Sequence, residues 1–580
     1  MSRAPRNEAG SFRLRAWFAL GVLGLAAVGL GARAVELQLI DREFLIGRGE
    51  AAAVREVHID AHRGAIVDRN GRPLAISTPV ESVYANPREL GEARDRWPAL
   101  AKQLKRNRAQ FERTLTGNQD RSFVWLARHL TPNEAQAVMK LELPGVYMRS
   151  EYRRYYPAGE VLGHVIGVTN QDDQGLEALE LAYDSWLAGE DGVKRVIRDN
   201  NGRRVDDVEN IRAVRPGRDL ALSIDTRVQY LAYRVLKRAI DENRASSGSM
   251  VVIDVTTGEV LAMVNQPTFN PNDREQRAAA VRGGWLRNRA VTDMLEPGSS
   301  IKPFVVAAAL ESGRFHKASL VDTEGGSWVS GGVPVNDEHP QGVLDMGGVL
   351  AKSSNVAMAK IAKELEPQQL WNTMTRFGFG HVTASQFPGE SAGSLSHYSN
   401  WRWRTIASMS RGYGLAVTPL QLAQAYAALG ALGVTRPVSL LRVDEAVTGK
   451  RVMSQRSARD LLDLLEGVVT EGTGSRAAIP GYRVAGKTGT AQRAKTGQRG
   501  YDTDRYVAVF GGVAPASNPR LAAVVVIDDP RQGKYYGGEI AAPVFSAVVG
   551  GALRLMGVAP DARLEESADP LTGVATMVAR

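Results

Sequence analysis

The strongest apolar block lies at the start of the chain. Residues Ala16 to Ala32 are 17 uncharged, mostly apolar positions, preceded by Arg3, Arg6, Arg13 and Arg15 against a single acid, Glu8. A helix of that length covers about 25 Å, slightly short of the roughly 30 Å hydrocarbon core of a bilayer. Arg33 can snorkel so that Ala34 and Val35 extend the span. The pattern predicts a transmembrane helix over 16–35, with residues 1–15 as a cytoplasmic tail and the rest of the chain across the membrane. A cleaved signal peptide is the competing reading, because Ala32-Arg33-Ala34 fits the A-x-A cleavage pattern. The apolar run exceeds the usual length of about 7–15 residues for such a peptide. A helical apolar pattern (Val35, Leu37, Leu39, Ile40, Phe44, Leu45) also continues past the site, which favours the anchor.

After the anchor, residues 57–215 mix short strand-like runs with turns. The run IVDRNGRPLAIS reads as a β-hairpin turning at Asn70-Gly71. An amphipathic stretch covers about 97–140. Arg203 to Arg218 is polar and basic and contains Pro216-Gly217, a plausible domain boundary. Beyond it, DLALSIDTRVQYLAYRVLKRAI reads strand then helix, and GSMVVIDVTTGEVLAMV reads as two strands around Thr256-Thr257-Gly258. A largely helical middle follows, then strands at 482–490, 505–514 and 521–528. Strands on both sides of a helical block predict an α+β fold whose sheet is assembled from both ends of the segment. Residues after 557 read as a loose tail.

Composition narrows the function classes. The 580 residues, 44% hydrophobic and 23% charged, are those of a globular chain of roughly three or four domains. Cysteine is absent, which removes disulfides, thiolate nucleophiles and Cys-based metal sites. The eight histidines are scattered, and no metal site is expected. The net charge of +9 comes from basic residues dispersed among acids, which argues against nucleic-acid binding.

Three short motifs carry candidate chemistry. Ser299-Ser300-Ile301-Lys302 is the only S-x-x-K in the chain, in EPGSSIKPFVVAAALESG. Pro297-Gly298 breaks the chain before it, Pro303 is tolerable only in a first helical turn, and Gly313 closes the helix. Ser299 would then lie at the positive end of a buried helix, with Lys302 on the same face within reach of its hydroxyl. A partly desolvated lysine there can take the serine proton; a capping serine beside a surface lysine is the bland alternative. Ser353-Ser354-Asn355 follows 54 residues later, able to relay a proton and hold a carbonyl, or simply to cap a helix. Lys487-Thr488-Gly489-Thr490 continues a strand-like run. Its lysine and hydroxyls make a carboxylate site, and Gly489 would let a substrate backbone lie close. A second K-T-G at Lys495-Thr496-Gly497 reads as a hairpin loop. Gly389-Glu390-Ser391-Ala392-Gly393 matches a nucleophile elbow, but neither the strand before it nor the helix after it is present in the sequence.

In that order, S-x-x-K, S-x-N and K-T-G resemble the active-site set of penicillin-binding proteins and serine β-lactamases. From the anchor to about residue 557 the chain resembles class B penicillin-binding proteins, specifically septal D,D-transpeptidases of the FtsI type. The front region carries Arg63-Gly64-Ala65-Ile66-Val67-Asp68-Arg69 with Gly71, and Arg153-Arg154-Tyr155-Tyr156-Pro157. It also carries Gly175-Leu176-Glu177 with Glu180, where Ala178 stands in place of an expected glycine. Septal members are further matched by Gly412-Tyr413-Gly414, Val417-Thr418-Pro419-Leu420-Gln421, Gly533-Lys534-Tyr535-Tyr536-Gly537-Gly538 and Ala542-Pro543-Val544-Phe545. An elongation-complex relative, a β-lactamase-like hydrolase and a non-catalytic division scaffold are the alternatives. An E-x-x-L-N-like segment for deacylating water is not found between the second and third motifs.

The resemblance implies an elongated mixed front (pedestal) domain at 36–215, a transpeptidase domain at 216–557 with a central antiparallel sheet flanked by helices, and a tail at 558–580. It implies that Ser299 attacks the D-Ala-D-Ala carbonyl of a peptidoglycan stem peptide with Lys302 as base. Ser353 would pass the proton on, Asn355 would hold the peptide amide, and Lys487, Thr488 and Thr490 would grip the carboxylate of substrate or β-lactam. The backbone N–H groups of Ser299 and Thr490 would form the oxyanion hole. Gly489 and Tyr413 join the expected substrate-binding set. No metal or organic cofactor is implied. The expected partners are a SEDS-type glycosyltransferase (FtsW-like) and other divisome membrane proteins, at the bacterial inner membrane with the catalytic domain in the periplasm.

Overall fold

The computed structural model describes residues 8–36, 38, 54–198, 204–445, 447–495 and 500–562. The apolar pattern beyond Glu36, the second K-T-G and the tail after Ala562 lie wholly or mostly outside them. Two compact units are distinguished: residues 1–62 with 189–217, and residues 63–188 with 218–580.

In the first unit, the helix Glu8–Val35 contains a 22-residue stretch, Leu14–Val35, of mean hydropathy 1.9 with none of it buried. It is long and apolar enough to cross a membrane. Val54–Ile59, Gly192–Arg198 and Arg204–Arg212 form a three-stranded antiparallel sheet in that order. His58 and His62 are four residues apart, a spacing that makes one face of a helix. The segment Val54–Ile59 is a strand, so that geometry does not arise.

The second unit begins with a front lobe. The long strand Pro73–Ala85 pairs antiparallel with Ile66–Val67, through the turn at Asn70-Gly71, and with Val124–Leu130 and Val146–Tyr155. Asp68 fixes that turn by accepting from the Asn70 and Arg72 amides, and it accepts the Thr226 hydroxyl at 2.7 Å. The amphipathic stretch 97–140 forms helices Trp97–Gln103, Arg108–Thr116 and Pro132–Met139, whose Leu100, Phe111, Leu115 and Val138 pack on Val83 and Ala85. Val124–Leu130 interrupts this stretch as a strand, a switch that its apolar spacing did not show.

The front signatures meet at one buried ion cluster. Glu180 accepts from Arg63 at 2.7 and 2.9 Å and from Arg154 at 2.7 Å, while Arg63 also reaches Asp184 at 2.7 Å. Burial works against the Arg63 charge, but Glu180 and Asp184 more than offset it and hold its pKa above the usual value. Ala178, where glycine is expected, adopts φ +52°, the left-handed backbone that glycine accepts without strain.

The catalytic sheet has strands β1 (Ser247–Asp254), β2 (Val260–Gln266), β3 (Ala485–Ala494), β4 (Tyr501–Ala514) and β5 (Leu521–Asp528), in spatial order β2-β1-β5-β4-β3. Every pairing is antiparallel. The sequence-based ends of β3 and β4 fall short of a hairpin that runs on to Ala494 and begins at Tyr501. Side chains alternate between two cores, as the period of two requires. Val251, Ile253, Val509, Val524 and Val526 join one core with helices Lys302–Glu311, Pro419–Gly430 and Gln455–Thr470. Met250, Val252, Phe510, Val525 and Ile527 face the other, beneath helices Thr226–Asn243 and Ala542–Leu555. Gly537–Leu555 is apolar enough for a membrane span but is 56% buried, a core segment of this sheet face.

Candidate active site

Ser299 lies in a 3₁₀ turn, Gly298–Ile301, that feeds directly into the Lys302–Glu311 helix. Pro303 occupies the first helical turn, where its missing N–H costs nothing. The turn is pressed against its neighbours. Gly298 has φ +52°, a Cβ at Gly412 would sit 2.0 Å from the Gly298 carbonyl oxygen, and Tyr426 donates to the Ser300 carbonyl at 2.9 Å. Ser300 is fully buried and donates to Pro297 O at 2.7 Å, while Ser299 remains half-buried.

The helix seals Lys302 at 0% exposure, and its ammonium bonds Ser353 O at 2.6 Å, Ser353 Oγ at 3.1 Å and Asn355 Oδ1 at 2.9 Å. The side chain therefore rests against the second motif. Burial drives its pKa well below the lysine range, helped by the nearby Lys487 and Arg411 charges and opposed by Asp337 and Glu338. A lysine so placed spends more of its time neutral, as a proton acceptor must.

The helix-cap alternative for the second motif is realised by its middle residue. Ser354 accepts from Ala357 N at 3.0 Å and caps the helix Asn355–Lys363. Asp337 braces the same turn, accepting from Ser354 Oγ at 2.7 Å, Val356 N at 2.9 Å and also the Asn355 amide. Ser353 and Asn355 are thus left to face Lys302. Ser353 does so at φ +57°, a strained conformation for a non-glycine residue.

The third motif runs along β3, the edge strand of the sheet, paired on one side only with β4. Lys487 is 0% exposed and bonds Thr488 Oγ1 at 3.2 Å; burial brings its pKa down to about 7, against the pull of Glu338. Thr488 Oγ1 is 2.8 Å from Thr473 Oγ1, and Thr490 Oγ1 accepts the Gly537 amide at 3.1 Å. Gly489 also answers to a neighbour within the fold. A Cβ there would lie 2.6 Å from Pro297 O and 3.2 Å from Ser300 Cβ, so its bare backbone makes room for the Ser299 turn.

Ser299, Ser353, Asn355, Thr488 and Thr490 all line one cleft of about 560 Å³. Lys302 and Lys487 lie buried behind it. Tyr413 is not on the cleft wall; it packs edge-on to Tyr501 at 5.5 Å between ring centroids. Asp337, Glu338, Thr473, Arg476 and Tyr536 also line the cleft and were not singled out from the sequence. Among them only Tyr536 sat in a quoted motif; the others come from loops with no recurring spacing. Gly389–Gly393 is coil, with Glu390 accepting from Thr383 and Ser385, a loop staple rather than an elbow.

The family model "Penicillin binding protein transpeptidase domain" matches residues 248–550, and "Penicillin-binding Protein dimerisation domain" matches 58–222. The chain is 42% identical over 570 residues to the peptidoglycan D,D-transpeptidase FtsI of Escherichia coli, covering 97% of this chain and 95% of that protein. It is 41% identical over 538 residues to a probable peptidoglycan D,D-transpeptidase of Pseudomonas aeruginosa, covering 93% and 94%. Among solved structures, the transpeptidase domain of Burkholderia pseudomallei penicillin-binding protein 3 is similar at 43% identity and TM-score 0.54, covering 59% of this chain and 98% of that one. Penicillin-binding protein 3 of Mycobacterium tuberculosis, complexed with aztreonam, is similar at 28% identity and TM-score 0.68, covering 87% and 98%. The serine turn, its buried lysine and the edge strand beside them are those of a chain that belongs to the class B penicillin-binding proteins, in the family of FtsI-type peptidoglycan D,D-transpeptidases.

Proposed function

We propose that this protein cross-links peptidoglycan stem peptides at the division septum through an acyl-enzyme on Ser299. The observation that carries the reading is the Lys302 ammonium, buried and bonded to Ser353 and Asn355 behind a cleft that Ser299 lines. Lys302, in its neutral form, takes the Ser299 proton as Oγ attacks the carbonyl of the penultimate D-alanine. The developing oxyanion is held by the amides of Ser299 and Thr490. Ser353 returns the proton to the departing D-alanine amine, and the amine of a second stem peptide then attacks the ester, releasing Ser299. The donor peptide lies along the open side of β3 as an added strand. Asn355 holds its amide, and Lys487, Thr488 and Thr490 hold its carboxylate. A β-lactam enters the same site and stops at the ester.

The residue spans 16–35, 36–215 and 216–557 are the anchor, pedestal and transpeptidase domain in this reading, with a tail at 558–580. Arg13 and Arg15 keep the short tail before the anchor in the cytoplasm, and the catalytic domain works in the periplasm. A SEDS-type glycosyltransferase of the FtsW kind supplies the strands, with other divisome membrane proteins beside it. Recovery of the full-length protein from membranes without any such polymerase would count against that partner.

The function is tested by labelling full-length protein with a fluorescent penicillin. Label on the wild type that persists for many minutes, and none on Ser299→Ala, is the expected result. Rapid loss of label would make the protein a hydrolase, and no label on folded wild type would remove the catalytic assignment.

A further inference from the structure

A second cavity, of about 780 Å³, shares no lining residue with the serine cleft. It lies between the Val146–Tyr155 strand, the 168–177 loop and the Arg274–Arg282 helix. Its volume is that of a small-molecule or oligomer subsite. Five arginines line it (Arg128, Arg153, Arg154, Arg274 and Arg277) against two carboxylates, Asp173 and Glu177. Arg128 is paired with Glu151 and Asp172, and Arg154 with Glu180. Arg153, Arg274 and Arg277 have no carboxylate partner among the described residues. Burial pushes both the Asp173 and Glu177 carboxyls upward, which weakens the only negative charge on the wall.

The wall is also short of hydrogen bonds. Ten buried side-chain polar atoms among the described residues have no partner, and four belong here: His129 Nε2, Arg154 Nη2, Asp173 Oδ1 and Arg277 Nε. Arg154 is the most telling, since its side chain is 1% exposed and its other nitrogens are bonded to Glu180, Gly64 O and Ser77. Strain gathers at the same place, with His129 at φ +60° and Asp173 at φ +59°. Unpaired buried polar groups and left-handed non-glycine residues persist where function demands them.

The chemistry of the wall selects a ligand class. Guanidiniums call for an anion that can accept in pairs. Asp173 and His129 add an acceptor and a ring nitrogen, which hydroxyl groups can serve as both donors and acceptors and a bare carboxylate cannot. Tyr152, Leu176 and Val281 offer flat and apolar surface for the face of a ring.

We propose that this cavity binds a carboxylate-bearing glycan, the saccharide–peptide strand of the wall polymer, at a point remote from Ser299. The identity of the polymer rests on the transpeptidase reading above; the anionic, hydroxyl-rich class rests on the cavity alone. The test uses full-length protein in detergent, with Ser299 acylated by penicillin so that the cleft is filled. It is titrated calorimetrically with the purified disaccharide–tetrapeptide of bacterial cell wall. Saturable binding is expected, weakened about tenfold or more in Arg274→Gln and Arg277→Gln. Arg153→Gln repeats the test from a different element if a helix variant lowers the unfolding temperature. No binding to acylated wild type, or equal binding by all three variants, overturns the proposal. Tighter binding of a glutamate decapeptide than of the glycan fragment overturns it too, in favour of a protein-docking site. If penicillin fails to label Ser299, the transpeptidase reading falls by that readout. The arginine comparison then decides the cavity on unlabelled protein.

Discussion

The Lys302 ammonium lies 2.6 Å from the carbonyl oxygen of Ser353 and 3.1 Å from its hydroxyl, and Ser353 presents both from a left-handed backbone at φ +57°. That conformation costs a non-glycine residue about 1–2 kcal/mol. Glycine at 353 should relieve it, so Ser353→Gly is expected to unfold at higher temperature than Ser353→Ala. Both variants lose the hydroxyl proposed to relay the proton, and on that proposal penicillin acylation should slow by about 10²-fold in each. Acylation at the wild-type rate in either variant would show that the hydroxyl carries no proton.

Lys487 gives a pH signature with a definite sign. Its folded pKa, brought to about 7 by burial, lies below the unfolded value of 10.5. Between the two, the unfolded chain holds the extra proton, so this residue's contribution to stability rises with pH. Lys487→Met should therefore stabilise the protein by on the order of a few kcal/mol at pH 7, a gain that shrinks toward pH 10.5. If the charged form of Lys487 grips the carboxylate, as proposed, acylation of the wild type should decline as pH rises through 7. Denaturant melts and acylation rates across pH 6–10 test both limbs.

Gly489 is predicted to resist even one added methyl. The Cβ of Gly489→Ala would meet Pro297 O at 2.6 Å, and that partner is backbone that cannot rotate away. We expect about 1–3 kcal/mol of destabilisation and a loss of acylation of at least tenfold, as Ser299 is displaced with its turn. Wild-type acylation kinetics in this variant would contradict the assignment.

Glu180 holds two buried arginines at once. Glu180→Gln leaves Arg63 its Asp184 partner but strips buried Arg154 of its paired carboxylate, which should cost about 3–5 kcal/mol. Urea unfolding followed by tryptophan fluorescence would register it, and a loss under about 1 kcal/mol would mean that the cluster relaxes by another route.

The local parts of this molecule were legible in sequence. S-x-x-K, S-x-N and K-T-G each occupy a few consecutive residues, and Pro303 and Gly298 mark the nucleophile turn. Strands β1, β2 and β5 show in their apolar runs. What could not be read is set by contacts between distant segments. Nothing near Asp337 shows that it braces Ser354 and Asn355, and Lys302 gives no local sign that it bonds the second motif. Gly489 was placed correctly on its strand, yet the neighbour that demands a glycine is Pro297, far away in the chain. The strand Val124–Leu130 was hidden in an amphipathic stretch because its half-buried pattern imitates a helix face.

The two-ended sheet has a consequence for how the enzyme comes into being. Asp254, at the end of β1, joins Arg520, the residue before β5, from 266 positions away in the chain. At about 5–20 residues per second, synthesis needs roughly 13–50 s to deliver the missing neighbour. Throughout that interval β1, whose Met250–Ile253 run is apolar, has only β2 beside it and leaves its other edge open to mispairing with another chain. The serine turn is made early, but the edge strand that faces it belongs to the last hundred residues. A nascent chain therefore carries its nucleophile long before it has an active site, and a message truncated before residue 485 yields an anchored protein that no β-lactam should label.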